Sequence, residues 1–167
     1  MKCINDMKLF FKQVVLCGFI IMVLMGGYGC KKNDVYEIYH KFPDKSWPRF
    51  NLLSFEIPIK NVEKPYNFYL FVKFTPDFQY NTLDFNMIMN TPAGEERIHE
   101  YQMKVKSNEG SFLIECYKDS CEGSILLKKE LYLSKKGILK IEIENLTPRL
   151  FTEGVLGVGI RMSESGK

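Results

Sequence analysis

The chain has 167 residues, 26% of them charged, and a formal net charge of +3. That length suits one domain with its own core, and the near-neutral balance excludes a nucleic-acid binder, which carries a basic face. Five cysteines and two histidines offer little for a zinc scaffold.

Lys2, Lys8 and Lys12 precede an uncharged apolar run, Val14–Met25 (VVLCGFIIMVLM). A helix needs about 20 such residues to cross roughly 30 Å of hydrocarbon, so this shorter run reads as the core of a signal peptide. GGYGC follows, and Cys30 sits where the apolar run gives way to charge. A cysteine there is a spare thiol, half of a disulfide or a lipid anchor, and the signal favours the anchor. The site departs from the usual lipoprotein pattern, with Gly27 and Tyr28 where a leucine-like and a small residue are expected. Two or more acyl chains on such a cysteine hold a protein stably on a membrane, at about 0.8 kcal/mol per buried methylene. The expected organisation is a signal peptide over residues 1–29, a lipidated tether over 30–35, one β-domain over 36–163 and a tail over 164–167.

Beyond the tether the residues alternate apolar and polar, the period of strands with one buried face. Val35–Lys41 is the first candidate. Trp47 follows in FPDKSWPRF. LSFEIPIK sets Leu53, Phe55, Ile57 and Ile59 against Ser54, Glu56, Pro58 and Lys60; Pro58 lacks a ladder donor and predicts an edge strand or a bulge. NFYLFVKF is apolar on both faces, which predicts a central strand. Leu83–Asn90, Ile98–Val105, Phe112–Tyr117 and Ile125–Leu133 come next. GILKIEIENL alternates cleanly, with Leu139, Ile141 and Ile143 on one face. TPRLFTEG, Thr147–Gly154, is the one candidate for a short helical turn, and GVLGVGIRM is the last strand. NVEKP, TPDFQYN, NTPAGEE, KSNEG, KDSCEG and SKKG supply turns. About nine short antiparallel strands predict an all-β sandwich or flattened barrel.

Once Cys3 and Cys17 leave with the signal and Cys30 carries lipid, Cys116 and Cys121 remain. In an oxidising compartment that pair reads as a disulfide across a four-residue loop, Tyr117–Ser120. Free thiols compete; zinc competes less, because His40 and His99 lie far away in sequence.

Catalytic motifs do not emerge: HExxH, GxSxG, a P-loop and a paired CxxC are all missing from the sequence. His99 in ERIHEYQ reads as part of a solvated strand face, and His40 is no better placed. Glu115, Asp119 and Glu122 surround the cysteines but lack the alternate-oxygen spacing of a calcium loop. NLT at Asn145 matches a glycosylation acceptor and carries little weight. Trp47, the sole tryptophan, either plugs the end of the core or joins Tyr36, Tyr39, Tyr66, Tyr69 and Tyr80 as a sugar-stacking platform. The plug is the favoured reading.

The ordered set VYEIYHKFPDKSWP, FEIPI, YNFYLFVKFTPDFQYNTLDFNMIM and GVLGVGIRM resembles the gliding-motility lipoprotein H (GldH) family of Bacteroidota. The likeness covers nearly the whole chain beyond Cys30. Its recognisable pieces fall at Trp47, at Asp77 with Tyr80 and Asn81, and at Val158 to Arg161. The middle departs from the pattern: EGSFLIECYKDSCEGS has Phe112 for the family's tryptophan, few of its glycines, and an added cysteine pair. The resemblance implies an envelope lipoprotein, held on a membrane through lipid on Cys30. KKND after Cys30 carries no strong acidic export signal, which leaves periplasm-facing and surface-exposed orientations open, the first favoured. The resemblance further implies a role in gliding and type IX secretion beside protein partners of that machinery, with no enzymatic activity, and the residues themselves call for no metal or cofactor. The alternatives are a glycan-binding surface lipoprotein and an envelope hydrolase. The first needs Trp47 exposed beside coplanar tyrosines, the second a pocket with a perturbed carboxylate or histidine.

Overall fold

In the computed structural model residues 35–165 are described. Alternation becomes strand almost everywhere: β1 (Val35–Lys41), β2 (Ser46–Pro48), β3 (Leu53–Ile59), β4 (Tyr66–Phe74), β5 (Thr82–Asn90), β6 (Glu96–Lys104), β7 (Glu115–Tyr117), β8 (Ser120–Leu131), β9 (Gly137–Asn145), β10 (Phe151–Glu153) and β11 (Val155–Glu164). The two strands beyond those expected, β2 and β10, pair with each other, Thr152 opposite Trp47. The expected helical turn over Thr147–Gly154 is corrected by β10. Ladder bonds to β2 and a buried polar network around Thr152 outweigh the local turn signal, and no helix occurs among the described residues.

Two antiparallel sheets build the sandwich, ordered β1-β11-β4-β8-β7 and β3-β9-β5-β6. Pro58 lies on the edge strand β3, where a missing donor is tolerated, and β4 is central, as its two apolar faces require. Phe68, Leu70, Val72 and Phe74 of β4 and Val158, Ile160 and Met162 of β11 form one wall of the core. Leu53, Phe55, Ile57 and Ile59, Leu83, Phe85, Met87 and Met89, and Leu139, Ile141 and Ile143 form the other. Each such side chain taken from water stabilises the fold by about 1.5–3 kcal/mol. Tyrosine hydroxyls stitch the sheets along both margins: Tyr36 donates to the Glu56 carbonyl at 3.3 Å and Tyr101 to the Leu127 carbonyl at 2.6 Å.

The registers give the sandwich two unlike ends. Val35, Tyr66, Leu131 and Glu164 lie at one, which we call the entry end. Lys41, Phe74, Cys121 and Val155 lie at the other, with Leu53, Thr82, Lys104 and Asn145 of the second sheet. Connections at the entry end are short (residues 60–65, 91–95 and 132–136). The opposite end carries residues 42–52, 75–81, 105–119 and 146–154, together with β2, β7 and β10.

Candidate functional site

The loop-bearing end is organised around a polar residue placed where an apolar one is due. The inward set of β9 runs Leu139, Ile141, Ile143 and then Asn145, which is 1% exposed. Its amide donates to the Trp47 carbonyl and to Thr152 Oγ1, both at 3.0 Å. Its carbonyl accepts from the Thr147 N–H at 3.0 Å and the Thr147 hydroxyl at 2.8 Å, and the two threonine hydroxyls meet at 2.6 Å. One side chain thus ties β9, β2 and β10 together, in keeping with the rule that buried polar groups are bonded. Asn145 is therefore a structural residue: its burial closes it to glycosylation in the folded chain.

Trp47 is fully buried, stacked on Phe42 with ring centroids 6.0 Å apart, and its Nε1 has no partner among the described residues. The sugar-platform reading is corrected by this burial. Tyr66 is buried too, Tyr36 packs on the core, and Tyr39 stacks on Phe71 at 5.7 Å. With Trp47 buried, the platform loses the residue it was built on.

Beside the network the 75–81 loop is pinned from both sides. The Thr75 N–H donates to the Gly154 carbonyl at 2.8 Å, and the Asn81 carbonyl accepts from the N–H groups of Val105 and Lys106 at 2.8 and 3.1 Å. Gly154 has φ +83, and a Cβ there would lie 2.9 Å from Thr75 Oγ1 and 3.1 Å from the Phe78 ring, so only glycine fits. Buried Phe78 fills the loop from below and meets Tyr80 edge-on at 5.2 Å. Asp77 is exposed; a hydrogen bond from the Thr75 hydroxyl, then one from its own N–H, hold its carboxyl below the usual range.

An open cleft of about 470 Å³ results, lined by Tyr80, Asn81, Asp84, Thr147, Arg149 and Thr152 among others. The Arg149 guanidinium lies 5.0 Å over the Tyr80 ring, and Asp84 accepts a bond from Gln102 at 2.8 Å. The arrangement suits recognition of polar or anionic groups, with one aromatic face, one cation and several neutral donors. Trp47, Tyr80 and Asn81 are thus brought to one end of the fold, with Asp77 on the rim.

Arg161 is elsewhere. It lies on the outer face of the five-stranded sheet, 4.8 Å over the Phe71 ring, with Nε 2.8 Å from Glu37 and a terminal nitrogen 3.3 Å from Glu122. The Glu37 bond above all holds its proton more tightly than usual, against the opposing effect of burial. A Cβ on Gly157 would collide with Tyr39, and one on Gly159 with the Phe71 ring and the Ile38 carbonyl. The glycines before Arg161 are therefore slots for rings lying flat on the sheet.

Cys116 and Cys121 are bonded directly across the β7–β8 ladder, and Tyr117 pairs with Ser120. The turn is the two residues Lys118 and Asp119, tighter than the four-residue loop expected. Of the three carboxylates there, Glu122 pairs with Arg161 and Lys73, and no cluster able to hold a metal occurs among the described residues. His99 is exposed, 2.7 Å from Lys128 Nζ.

These features describe an antiparallel β-sandwich with a loop-built cleft at one end and a cluster of aromatic and charged side chains on the outer face of one sheet. The family model of the GldH lipoproteins matches residues 34–162, nearly all of that domain. The chain belongs to the GldH lipoprotein family. It is 20% identical over 154 residues to the gliding motility lipoprotein GldH of Flavobacterium johnsoniae, covering 88% of this chain and 95% of that one. Among solved structures it is similar to dimeric latent PorU from Porphyromonas gingivalis, at TM-score 0.36 and 9% identity, over 81% of this chain and 14% of that one. It is also similar to the Eiger TNF of S. frugiperda, at TM-score 0.36 and 10% identity, over 80% and 92%. At these scores neither structure bears on function.

Proposed function

We propose that this chain is a lipid-anchored, non-catalytic accessory component of the gliding-motility and type IX secretion apparatus of the cell envelope. The observation that carries the reading is the family match across the sandwich, preceded in the sequence by GGYGC at the end of an apolar run. Residues 1–29 are the leader, Cys30 carries the lipid, 30–35 are the tether to the 36–163 domain, and 164–167 are the tail. The domain faces the periplasm and holds protein partners. The composition of the cleft supports binding over catalysis: its one lining carboxylate, Asp84, is engaged by Gln102.

The test is metabolic labelling with an alkyne fatty acid, comparing the wild-type chain with Cys30→Ala, followed by membrane fractionation. Label and membrane retention are expected for the wild type and lost in the variant. A deletion strain is expected to lose secretion of a type IX reporter, restored by the wild-type gene. Label persisting on Cys30→Ala would overturn the anchor, and normal secretion in the deletion strain would overturn the role.

A further inference from the structure

The chain has only four arginines, and the structure divides them in two. Arg97 and Arg161 are ion-paired with glutamates. Arg49 and Arg149 make no ion pair among the described residues; each lies over an aromatic ring, at 5.8 Å from Phe50 and 5.0 Å from Tyr80. They belong to two similar tripeptides, Pro48-Arg49-Phe50 and Pro148-Arg149-Leu150, brought side by side where the Arg49 N–H donates to the Leu150 carbonyl at 2.9 Å. The apolar residues of this tip are turned out: Phe50 is 80% exposed, Leu150 66% and Phe151 54%.

We propose that the β2–β10 tip docks a protein partner presenting carboxylates around an apolar surface. Three observations choose this occupant. First, the tip combines aromatic, leucine and arginine side chains in a chain otherwise rich in lysine. Arginine and aromatics are enriched in protein interfaces and lysine is depleted, and the planar guanidinium matches a carboxylate in two-point contact. Second, the two cations here lack carboxylate partners of their own, so an acidic surface gains contacts without breaking any. Third, the tip stands beyond the Lys41 end of β1, whereas the chain enters at Val35. Seven residues of strand at about 3.3 Å each put some 20 Å between the two. That last point rests on the lipid-anchored reading above, and it argues against the anchoring bilayer as the occupant.

The test places a photoreactive phenylalanine analogue at Phe50 or Leu150 of the full chain in its native envelope. Tyr132, 64% exposed in the 132–136 connection at the entry end, is the control position. Adducts from both tip positions to one protein are expected, on a segment carrying Asp or Glu beside apolar residues, and not from position 132. The double variant Arg49→Glu/Arg149→Glu should cut their yield at least about tenfold, as reversed charges at a close interface do, with Trp47 fluorescence unchanged as the folding control. An adduct to phospholipid or to a second copy of this chain, a linked segment without carboxylates, or a yield indifferent to charge reversal would overturn the proposal. Fatty-acid labelling of the same samples keeps it separable: tip adducts on an unlabelled chain sink the anchor, and a labelled chain without tip adducts sinks the docking surface.

Discussion

Replacing Asn145 with alanine removes four hydrogen bonds from a site closed to water. The threonine hydroxyls keep each other, but the Trp47 carbonyl and the Thr147 N–H lose the amide. A buried backbone group left without its partner costs roughly 1–3 kcal/mol, which applies in full to the Thr147 N–H and in part to the Trp47 carbonyl, still paired across the ladder with Thr152, so the variant should lose about 2–4 kcal/mol. That is a large part of the roughly 5–15 kcal/mol that holds a domain of this size together. Urea unfolding followed by fluorescence reads the loss directly, because the only tryptophan is Trp47 on the strand being released. Asn145→Asp sharpens the test. It keeps both bonds accepted from Thr147 but sets oxygen against the Trp47 carbonyl and Thr152 Oγ1. Burial raises the folded-state pKa of such a carboxyl above its unfolded value of about 3.9, so the folded state binds more protons and stability falls as pH rises. The aspartate variant should therefore stand closer to wild type at pH about 4 than at pH about 7. A loss below about 1 kcal/mol for alanine, or no pH dependence for aspartate, would refute the network as the tie between β9, β2 and β10.

Other substitutions probe the remaining features. Trp47→Phe should be mild, since the indole N–H has no bond to lose, while Trp47→Ala should cost about 3–5 kcal/mol in urea unfolding; equal effects would refute the packing account. Gly159→Ala forces a methyl into the Phe71 ring and the Ile38 carbonyl and should cost about 1–3 kcal/mol, seen as a lowered melting temperature. An unshifted melt would show that the slot is not needed. Replacing Cys116 and Cys121 with serine should cost less than about 3 kcal/mol, the figure for a 15-residue loop, and should speed amide exchange in β7 first. Asp77 should titrate below an ordinary aspartate by carbon-13 NMR, and Thr75→Ala should raise it part of the way, because its own N–H, Lys45 and Lys106 lower it too. Its ionised form favours the folded state above the unfolded pKa, a contribution lost as pH falls through the lower folded value.

Period-two alternation made the sheets legible. Leu139, Ile141 and Ile143 of β9 and Phe68, Leu70, Val72 and Phe74 of β4 all point inward as the alternation requires. Pro58 marked an edge and the doubly apolar β4 a centre, because each states how many neighbours a strand can have. What stayed hidden depends on contacts between distant segments. Ser46–Pro48 and Phe151–Glu153 are too short to show a period and become strands only through each other. The signal for Asn145 was present, as a polar residue in phase with the inward set, but its reading as a glycosylation motif hid it. Phe71 broke the pattern in the other direction. It is an apolar residue on the outer face, 1% exposed because Arg161 and Tyr39 cover it, and that cover forms only after β1 and β11 have paired.

The architecture also explains why the residues gathered at the loop-bearing end are scattered along the chain. An antiparallel strand returns every second connection to the same end, so segments tens of residues apart in sequence meet there. Trp47, the 75–81 loop and the 146–154 segment are three such returns, held by Asn145 from below and Gly154 from the side. Arg161 is outside this set and follows a different constraint: the Gly157, Gly159 and Arg161 spacing places two open slots and one cation on the same face of β11, where Tyr39 and Phe71 lie. One strand thus carries a packing device for the outer sheet while its first residues close the loop-bearing end. A partner bound at that end should leave the Arg161 cluster untouched, and Arg161→Ala should lower stability without lowering crosslinking from position 50.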